Sequence, residues 1–364
     1  MKLTKDIVLK ELAEVKHPER RKSIVELGMV ENLEVSDEAV SFMLKTQKAK
    51  DPFAASLKKT AEAALRKLNK DLQVSIQIFS PPILDFKLND PLSRIRNIIA
   101  VASGKGGVGK STVAVNLAVA MAKTGASVGL IDADVYGPSV PIMMGLEGER
   151  PEIRKEGEKE IIIPVHKQGV KVVSIGFFVR PEDALVWRGP MATNALKQLI
   201  NQSDWGELDY LFIDLPPGTG DIHLTMVQEA AVTGAVIVST PQQVALNDAL
   251  KGIAMFTGEK INVPVLGLIE NMSWFTPEEL PENKYYIFGK EGVKKLAEKM
   301  NVDLLGQIPL VQSIREDGDE GRPSVLDENN PAGRAFATLA ANLITAVEKR
   351  IKEKNPTQRV RITH

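Results

Sequence analysis

The stretch VASGKGGVGKST at residues 101–112 joins a short apolar run to a pattern with helical periodicity. It is rich in glycine, and glycine lets a backbone turn tightly and point its N–H groups inward at anionic oxygens. The positive end of the helix that begins near Lys110 adds to the attraction for phosphate. A loop of this kind has to lie between a strand and a helix, so this segment predicts an α/β fold. Its glycines are Gly104, Gly106, Gly107 and Gly109.

From residue 97 onward, short apolar runs alternate with longer helical patterns. Near-continuous apolar strands separated by helices predict a parallel sheet that is covered on both faces. We therefore expect a doubly wound, mainly parallel sheet. The expected strands are IIAVAS, SVGLID, LDYLFIDL, AVIVST, VPVLGLIE and VDLLGQIP, and the expected helices include STVAVNLAVAMAKT, LTMVQEAAV and VALNDALKGIAMF.

The chain before this alternation reads as a small α/β domain over residues 1–78. IVLKELAEV and PFAASLKKTAEAALRKL have helical patterns, and IVELGMVENLEV, AVSFMLKT and LQVSIQI resemble strands. The stretch FSPPILDFKLNDPLSRIRN, with three prolines, predicts a linker over residues 79–96. The sheet domain then extends over 97–353, and a basic tail follows at 354–364.

A long amphipathic helix is predicted at residues 331–353, and basic residues dominate the chain from 349 onward. One interpretation is a helix that covers the core, followed by a solvated tail. The alternative is a weak membrane-surface anchor, because a basic amphipathic end can bind anionic lipid. The expected apolar face holds Phe336, Leu339, Leu343, Ile344, Val347 and Ile351, and the basic residues are Lys349, Arg350, Lys352, Lys354, Arg359 and Arg361.

Composition excludes several classes of protein. The 364 residues carry a formal net charge of -1, which gives no support for nucleic acid as a partner. No apolar run approaches the length of a membrane span, and the N-terminus lacks the pattern of a signal peptide, so we expect a cytoplasmic protein without a membrane partner. Cysteine is absent, which removes disulfides, thiolate metal ligands and thiol nucleophiles together.

The glycine-rich loop predicts specific roles for its polar residues. Lys110 reaches the β- and γ-phosphates of a nucleotide, the Ser111 hydroxyl is placed to ligate Mg²⁺, and Thr112 is expected to touch the α-phosphate. Asp132 and Asp134 follow the second strand of the sheet, close to the loop if the sheet is doubly wound, and Asp132 is expected to orient Mg²⁺ waters or Lys110. Asp214 ends the strand YLFIDL and is expected to act on Mg²⁺ directly or through water. The following PPGTGD is expected to sense the γ-phosphate.

Lys105 makes the loop GKGGVGKS, which resembles the deviant phosphate loop of the MinD/ParA/ArsA class of ATPases. The resemblance implies ATP as the nucleotide, bound by residues 104–112 with Val108 among them. It also implies a homodimer in which Lys105 reaches the partner's nucleotide, where a second cation stabilises the charge that develops during phosphoryl transfer. By the same resemblance, Asp134 positions the attacking water. The implied catalytic residues are Lys105, Lys110, Asp134 and Asp214.

Four further stretches narrow the resemblance: DADVYGPSVPIMMG, WRGPM, DYLFIDLPPGTGD and ENMSWF. Together they resemble the Mrp/ApbC family of iron–sulfur cluster carrier ATPases. VKHPERRKSIVELGMV is similar to the small iron–sulfur-assembly domain that precedes many members of that family. The resemblance implies a homodimer that sandwiches ATP and hydrolyses it, and partners that are iron–sulfur scaffolds or apoprotein acceptors. It also implies that Asn271 hydrogen-bonds the adenine.

One departure from the family pattern concerns the cluster itself. Family members that carry a cluster have a C-x-x-C pair after the ENMS-aromatic stretch, whereas this chain reads TPEELPENKYYIFG there. Iron–sulfur clusters are held by thiolates, so we expect no iron–sulfur ligands in this chain and a role in cluster assembly or transfer without a cysteine-held cluster. The alternative function is a MinD-like, nucleotide-switched scaffold for a membrane surface or a protein partner. Tyr285, Tyr286 and Phe288 are interpreted either as packing residues or as a surface that recognises a partner.

Overall fold

The structure is a computed structural model in which the chain divides into two compact units, Met1–Asp85 and Phe86–His364. The division lies inside the predicted linker. No helix among the described residues is long and apolar enough to cross a membrane. The described residues are 3–18, 22–36, 38–46, 53–69, 72–79, 90–157, 159–178, 189–259, 261–277, 279–280 and 282–360.

The first unit contains a three-stranded sheet and two helices. The strands lie in the order β1-β2-β3, with β1 antiparallel and β3 parallel to β2. The expected strand over 24–35 exists only in its second half, because Ser23 and Glu26 exchange side chain–backbone hydrogen bonds of 2.9 and 3.1 Å that hold a turn. The elements are α1 (Lys5–Leu12), β1 (Val30–Val35), β2 (Ala39–Lys45), α2 (Ala54–Leu68) and β3 (Gln73–Phe79).

The second unit is built on an eight-stranded sheet in the order β13-β12-β11-β4-β10-β5-β9-β8. All neighbouring strands are parallel except the edge strand β8, which confirms the doubly wound, mainly parallel sheet. β4 begins at Ile95, inside the predicted linker. The strands of this unit are β4 (Ile95–Ala102), β5 (Val128–Asp132), β6 (Ile153–Glu156), β7 (Lys159–Ile162), β8 (Val165–Lys167), β9 (Val170–Ser174), β10 (Leu208–Asp214), β11 (Gly234–Ser239), β12 (Val265–Glu270) and β13 (Leu304–Gln307).

Helices cover both faces of this sheet. One apolar cluster joins α3 and α10 to one face, and a second joins α5, α6, α7 and α8 to the other. Each face therefore buries its own core, as the alternating pattern predicts. The helices are α3 (Lys110–Lys123), α4 (Val140–Met143), α5 (Gly189–Asn201), α6 (Asp221–Glu229), α7 (Gln243–Thr257), α8 (Gly292–Met300), α9 (Gln312–Asp319) and α10 (Pro331–Glu353), with 3₁₀ turns at Ile175–Phe177 and Ser324–Leu326.

The strands β6 to β9 were not among the predicted elements. β6 and β7 form a separate antiparallel hairpin, whose charge-rich sequence hides its strands. β8 and β9 are joined by Gln168 and Gly169, which have φ angles of 50° and 77°, as a tight hairpin turn requires. β9 pairs with β5, and the register places Ser174 beside Asp132. This pairing completes the edge of the sheet that holds the candidate site.

The end of α10 differs from the sequence interpretation. Ile351 was expected on the apolar face, yet it is 51% exposed, whereas Arg350 is 8% exposed. The Arg350 guanidinium donates to the carbonyls of Thr233, Lys354 and Asn355 and to the Thr357 hydroxyl, at 2.7 to 3.2 Å. The tail over the described residues 354–360 is therefore anchored to the second unit by hydrogen bonds, although most of its residues are exposed to solvent as the sequence predicted.

Candidate nucleotide-binding site

The polar residues singled out from the sequence meet at the carboxyl edge of three adjacent strands. β10 lies between β4 and β5, and its last residue, Asp214, is in register with Val101 of β4 and Asp132 of β5. The glycine-rich loop leaves β4 at this edge and enters α3. Parallel strands thus bring together carboxylates and a phosphate loop that are separated by about a hundred residues in the chain.

The backbone of the loop is fixed by close contacts at two glycines. Gly109 has a φ of 80°, and a Cβ atom there would lie 2.2 Å from the Asn271 side-chain nitrogen. A Cβ at Gly104 would lie 2.1 Å from the Asp248 carbonyl carbon in α7. Both positions therefore require glycine. Asn271 is buried and its amide donates to the Val108 carbonyl at 2.8 Å, so this side chain supports the loop directly.

Lys110 lies at the centre of the site with 5% of its side chain exposed. Its ammonium group is 2.6 Å from one Asp214 oxygen and 3.7 Å from an Asp134 oxygen, and it donates to the Ser111 hydroxyl at 3.1 Å. Burial raises the pKa of Asp214 and of Asp134, and the nearby Lys110 charge opposes both shifts. The cation and the two carboxylates thus form one coupled cluster beside the loop.

Two features show that the cluster fits a phosphate and a divalent cation. The second Asp214 oxygen is buried and has no hydrogen-bond partner among the described residues, although such an atom costs about 1–3 kcal/mol when unpaired. No side chain caps the N-terminus of α3 in the described part of the chain, so its first N–H groups are open to a ligand. Free helix N–H groups bind phosphate oxygens, and Asp214 with Ser111 supplies the oxygen ligands that Mg²⁺ prefers.

The sequence predicted that Asp132 orients Mg²⁺ waters or Lys110, and no ion pair between Asp132 and Lys110 occurs among the described residues. The Asp132 carboxylate is fully buried and accepts from the Ser174 hydroxyl at 2.9 Å and from the Asp134 and Val140 N–H groups at 3.2 and 3.3 Å. Burial raises its pKa, and the neighbouring Asp214 adds to the rise. Asp132 therefore shapes the loop that carries Asp134.

The remaining loop residues lie at the open side of the site. Lys105 is half-buried and takes part in none of the ion pairs found among the described residues, while its carbonyl accepts from the Ser103 hydroxyl at 3.0 Å. Gly106 and Gly107 are exposed. The Thr112 hydroxyl lies 4.0 Å from the Met143 sulfur. The structure thus brings every predicted loop residue to one edge, with Lys105 beside the exposed Gly106 and Gly107.

His223 was assigned no role in the site from the sequence. It lines a cleft of about 410 Å³ together with Asp134 and Tyr136. The imidazole is 1% exposed, and neither ring nitrogen has a hydrogen-bond partner among the described residues. Burial lowers its pKa to about 4, so it is neutral near pH 7. Its place in PPGTGDIH, directly after the loop expected to sense the γ-phosphate, was the signal that could have drawn attention to it.

The aromatic stretch after Asn271 folds into a small loop on the surface. Phe275 and Tyr285 exchange two backbone hydrogen bonds of 2.8 Å, and the Lys284 ammonium lies 4.0 Å from the centre of the Trp274 ring. Tyr285 and Tyr286 are 46% and 38% exposed, so neither closes the core of the unit. Of the stretch WRGPM, Trp187 and Arg188 lie outside the described residues, and Gly189 begins α5.

The sheet order, the glycine loop and the buried Lys110–Asp214 pair define a P-loop NTPase. The comparisons with known proteins agree with this class. The chain belongs to the NUBPL iron-transfer P-loop NTPase family, whose model matches residues 94–344. Residues 5–77 match a second family, described as iron–sulfur cluster assembly protein. The resemblance to iron–sulfur carrier ATPases is thereby confirmed.

Curated relatives and solved structures carry the same likeness. An iron–sulfur cluster carrier protein of Synechocystis is 42% identical over 97% of this chain and 98% of its own length, and one of Escherichia coli K12 is 49% identical over 71% and 69%. A nucleotide-binding protein of Archaeoglobus fulgidus, solved with ADP, is 40% identical with a TM-score of 0.57, over 68% of this chain and 93% of that one. The MinD ATPase of Pyrococcus furiosus shares the fold, with 24% identity and a TM-score of 0.51 over 69% and 99%.

Proposed function

We propose that this protein is an ATP-hydrolysing homodimer that acts in the assembly or transfer of iron–sulfur clusters to apoproteins. The observation that carries the proposal is the buried cluster of Lys110, Asp214 and Asp134 beside the glycine loop. Family membership and the names of the relatives support iron–sulfur clusters as the cargo.

Each residue of the site has a distinct task in the proposed reaction. The loop N–H groups and Lys110 hold the β- and γ-phosphates. Asn271 supports the loop at Val108, and its predicted hydrogen bond to the adenine is part of the proposal. Asp214 and Ser111 would hold Mg²⁺, whose charge neutralises phosphate oxygens when it is bound. Asp134 orients the attacking water, because its carboxylate lies next to Lys110 and lines the open cleft.

Lys105 links hydrolysis to dimer formation in this proposal. Its side chain takes part in no ion pair among the described residues, and the loop glycines beside it are exposed. A cation on that side can stabilise the charge on the nucleotide of a facing protomer, as an arginine finger does. ATP binding would then close two copies of the chain on each other.

The cargo has to be held by groups outside this chain. The sequence contains no cysteine, and no group of three or more potential metal ligands occurs among the described residues. Soft thiolates are the usual ligands of iron–sulfur clusters. We therefore propose that a scaffold or an acceptor holds the cluster, while ATP-driven closure of this protein remodels that partner. The exposed Tyr285 and Tyr286 offer a surface for such a contact.

Two of the basic residues on which the membrane-surface alternative rested contact protein groups instead. Arg350 binds backbone carbonyls, and Arg359 pairs with Asp90. Within the described part of the basic end, no structural observation favours the alternative, so we carry only the carrier function further.

The test of this function uses the full chain in an anaerobic transfer assay. We expect Mg²⁺-dependent ATP hydrolysis, and ATP-stimulated transfer of a [4Fe–4S] cluster from a loaded scaffold to an apoprotein, followed by circular dichroism. Asp134→Ala should retain ATP binding but lower hydrolysis by about a hundredfold. Lys105→Ala should bind ATP yet lose nucleotide-linked dimerisation, measured by light scattering.

Three results would contradict the proposal. Rapid hydrolysis by Asp134→Ala would show that this carboxylate does not orient the attacking water. Cluster transfer at the same rate with and without ATP would show that the nucleotide site does not drive transfer. Reconstitution of the protein alone with iron and sulfide should give no stoichiometric cluster absorbance. A tight, reproducible cluster on the isolated chain would refute the view that a partner holds it.

A further inference from the structure

Ser174 is a fully buried serine at the end of β9 whose hydroxyl is used in both directions. The hydroxyl donates to an Asp132 carboxylate oxygen at 2.9 Å and accepts from the Gly176 N–H, also at 2.9 Å. A hydroxyl that both donates and accepts in a buried place has one available orientation. Ser174 therefore holds the Asp132 carboxylate in one rotamer.

The Asp132 carboxylate in turn holds both ends of the loop that carries Asp134. One oxygen accepts from the Asp134 N–H at 3.2 Å, and the oxygen bound by Ser174 also accepts from the Val140 N–H at 3.3 Å. The Ala133 N–H donates to the Asp214 carbonyl at 2.9 Å, which ties the start of the loop to β10. The position of residues 133–140 thus depends on the rotamer of one buried side chain.

The segment after Ser174 contacts the same loop from a second side. A Cβ atom at Gly176 would lie 3.1 Å from the Pro138 side chain, closer than most Cβ contacts, so glycine lets Pro138 pack against this turn. The Ser174 hydroxyl caps that turn through the Gly176 N–H. One hydroxyl therefore joins the two supports of the loop, the Asp132 carboxylate and the Gly176 turn.

We propose that Ser174 is a positioning residue for ATP hydrolysis, which acts through Asp132 to hold the loop at 133–140 and the Asp134 carboxylate in their reactive place. The inference rests on the proposed function, in which Asp134 orients the attacking water. Without the hydroxyl, Asp132 loses one of its three donors and its fixed rotamer. Asp134 then samples other positions while the phosphate loop, which Ser174 does not contact through any of its hydrogen bonds, is unchanged.

The experiment compares two buried serines of the same unit. Ser174→Ala removes the hydroxyl, and Ser174→Thr keeps it. Ser203→Ala is the matched control, because Ser203 is 1% exposed and donates at 2.7 Å to the Leu199 carbonyl, away from the loop. For each full-length variant, turnover and the Kd of ATP are measured, together with amide hydrogen exchange of residues 133–140 and 104–110.

We expect Ser174→Ala to lower turnover by about tenfold to a hundredfold, because a small misplacement of a reacting group is costly. Its Kd for ATP should stay within about twofold of the wild-type value, since the phosphate loop is untouched. Exchange should quicken at 133–140 and not at 104–110, Ser174→Thr should recover most of the turnover, and Ser203→Ala should match the wild type.

Three results would overturn the inference. Turnover and exchange of Ser174→Ala that equal those of Ser203→Ala would show that the hydroxyl has no positioning role. A parallel loss of ATP affinity and of protection at 104–110 would show a general structural role instead. If the wild-type protein does not hydrolyse ATP, the proposed function fails together with the role of Ser174 in hydrolysis. Exchange at 133–140 then tests whether Ser174 holds this loop: faster exchange in Ser174→Ala supports that part of the inference, and unchanged exchange refutes it.

Discussion

The nucleotide-site edge and the end of α10 each bury one cation, and they do so in opposite ways. Lys110 lies against two carboxylates, one of which keeps an unpaired oxygen. Arg350 has its guanidinium occupied by four neutral acceptors and faces no carboxylate in the described part of the chain. A buried cation whose donors all have hydrogen-bond acceptors stabilises the structure around it. A cluster of opposite charges that leaves a carboxylate oxygen without a partner is suited to bind a charged ligand.

The difference explains why burial alone does not identify a functional residue. Both side chains are less than a tenth exposed. The nature of the partners separates them. Lys110 can exchange its carboxylate partners for phosphate oxygens, and those carboxylates can take Mg²⁺ in its place, while the carbonyls around Arg350 have no such alternative. Replacing each cation should therefore change a different property of the protein.

Replacing Lys110 should have the largest effect. Lys110→Met is expected to weaken ATP binding by at least about a hundredfold, because the main charge on the β- and γ-phosphates is lost. It should also destabilise the second unit by about 3 kcal/mol, since Asp214 loses its counter-ion. Titration with a fluorescent nucleotide measures the first, and urea unfolding followed by tryptophan emission measures the second, because Trp187, Trp205 and Trp274 all lie in that unit.

A double variant separates the two losses at Lys110. Lys110→Met with Asp214→Asn removes both charges, so stability should recover while ATP binding does not. Lys123→Ala, at the other end of α3 and paired with the exposed Glu328, is the control and should bind ATP normally. Recovery of binding in the double variant would show that Lys110 matters only for the fold.

Arg350→Ala should destabilise the second unit by about 3 kcal/mol, because three backbone carbonyls and a hydroxyl lose a charged donor. The Kd of ATP should stay within about twofold, which is the converse of the Lys110 result. Urea unfolding and nucleotide titration check both, with Lys352→Ala, exposed on the same turn, as the control. An Arg350→Ala variant that unfolds normally but loses ATP would reverse the roles assigned to the two cations.

The sequence predicted where Lys110 lies and misread the burial of Arg350, for a physical reason. The glycine loop places Lys110 by local motif, and parallel strands bring Asp214 to it, so that edge follows from pattern alone. At the end of α10, three or four residues beyond Val347 are 350 and 351, and hydropathy favours Ile351. The buried position is 350, because Thr233 and the returning tail offer carbonyls there. Helical periodicity carries no information about acceptors that lie outside the helix.

Ser174 shows the same limit inside the site. VVSIGFF has no motif that points to the phosphate loop, and β9 was not expected as a strand. Its role depends on the pairing of β9 with β5, which sets Ser174 beside Asp132. This contact involves a strand that no sequence pattern indicated, so it is visible only in the fold.

His223 extends the contrast to a buried base whose ring nitrogens have no side-chain partner among the described residues. Burial lowers its pKa from 6.5 to about 4, so His223 is protonated at a lower pH in the folded state than in the unfolded state. The contribution of neutral His223 to the stability of the folded state is fully present above pH 6.5 and is lost as the pH falls toward 4. At pH 5 this loss lowers the free energy of unfolding by about 2 kcal/mol. Burial raises the pKa of Asp132, which acts in the opposite direction, so the two contributions have to be separated.

The measurement is therefore a difference between two proteins. The stability of the second unit is followed by urea unfolding from pH 7.5 to 5 in the wild type and in His223→Leu. Asp132 is common to both, and we expect the wild type to lose about 2 kcal/mol more than the variant. Equal losses would show that His223 has a partner that takes up its proton in the folded state.

Replacing Arg359 should have the smallest effect on stability, and it tests whether charge pairs or neutral acceptors hold the end of the chain. It pairs with Asp90, but its side chain is 40% exposed, and an ion pair open to water contributes about 0.5 kcal/mol. Arg359→Ala should therefore lower stability far less than Arg350→Ala, although both residues hold the same tail. A double-mutant cycle with Asp90→Ala in urea measures the pair directly. A coupling as large as the loss at Arg350 would show that charge pairing, and not the neutral acceptors of a buried guanidinium, holds the end of the chain.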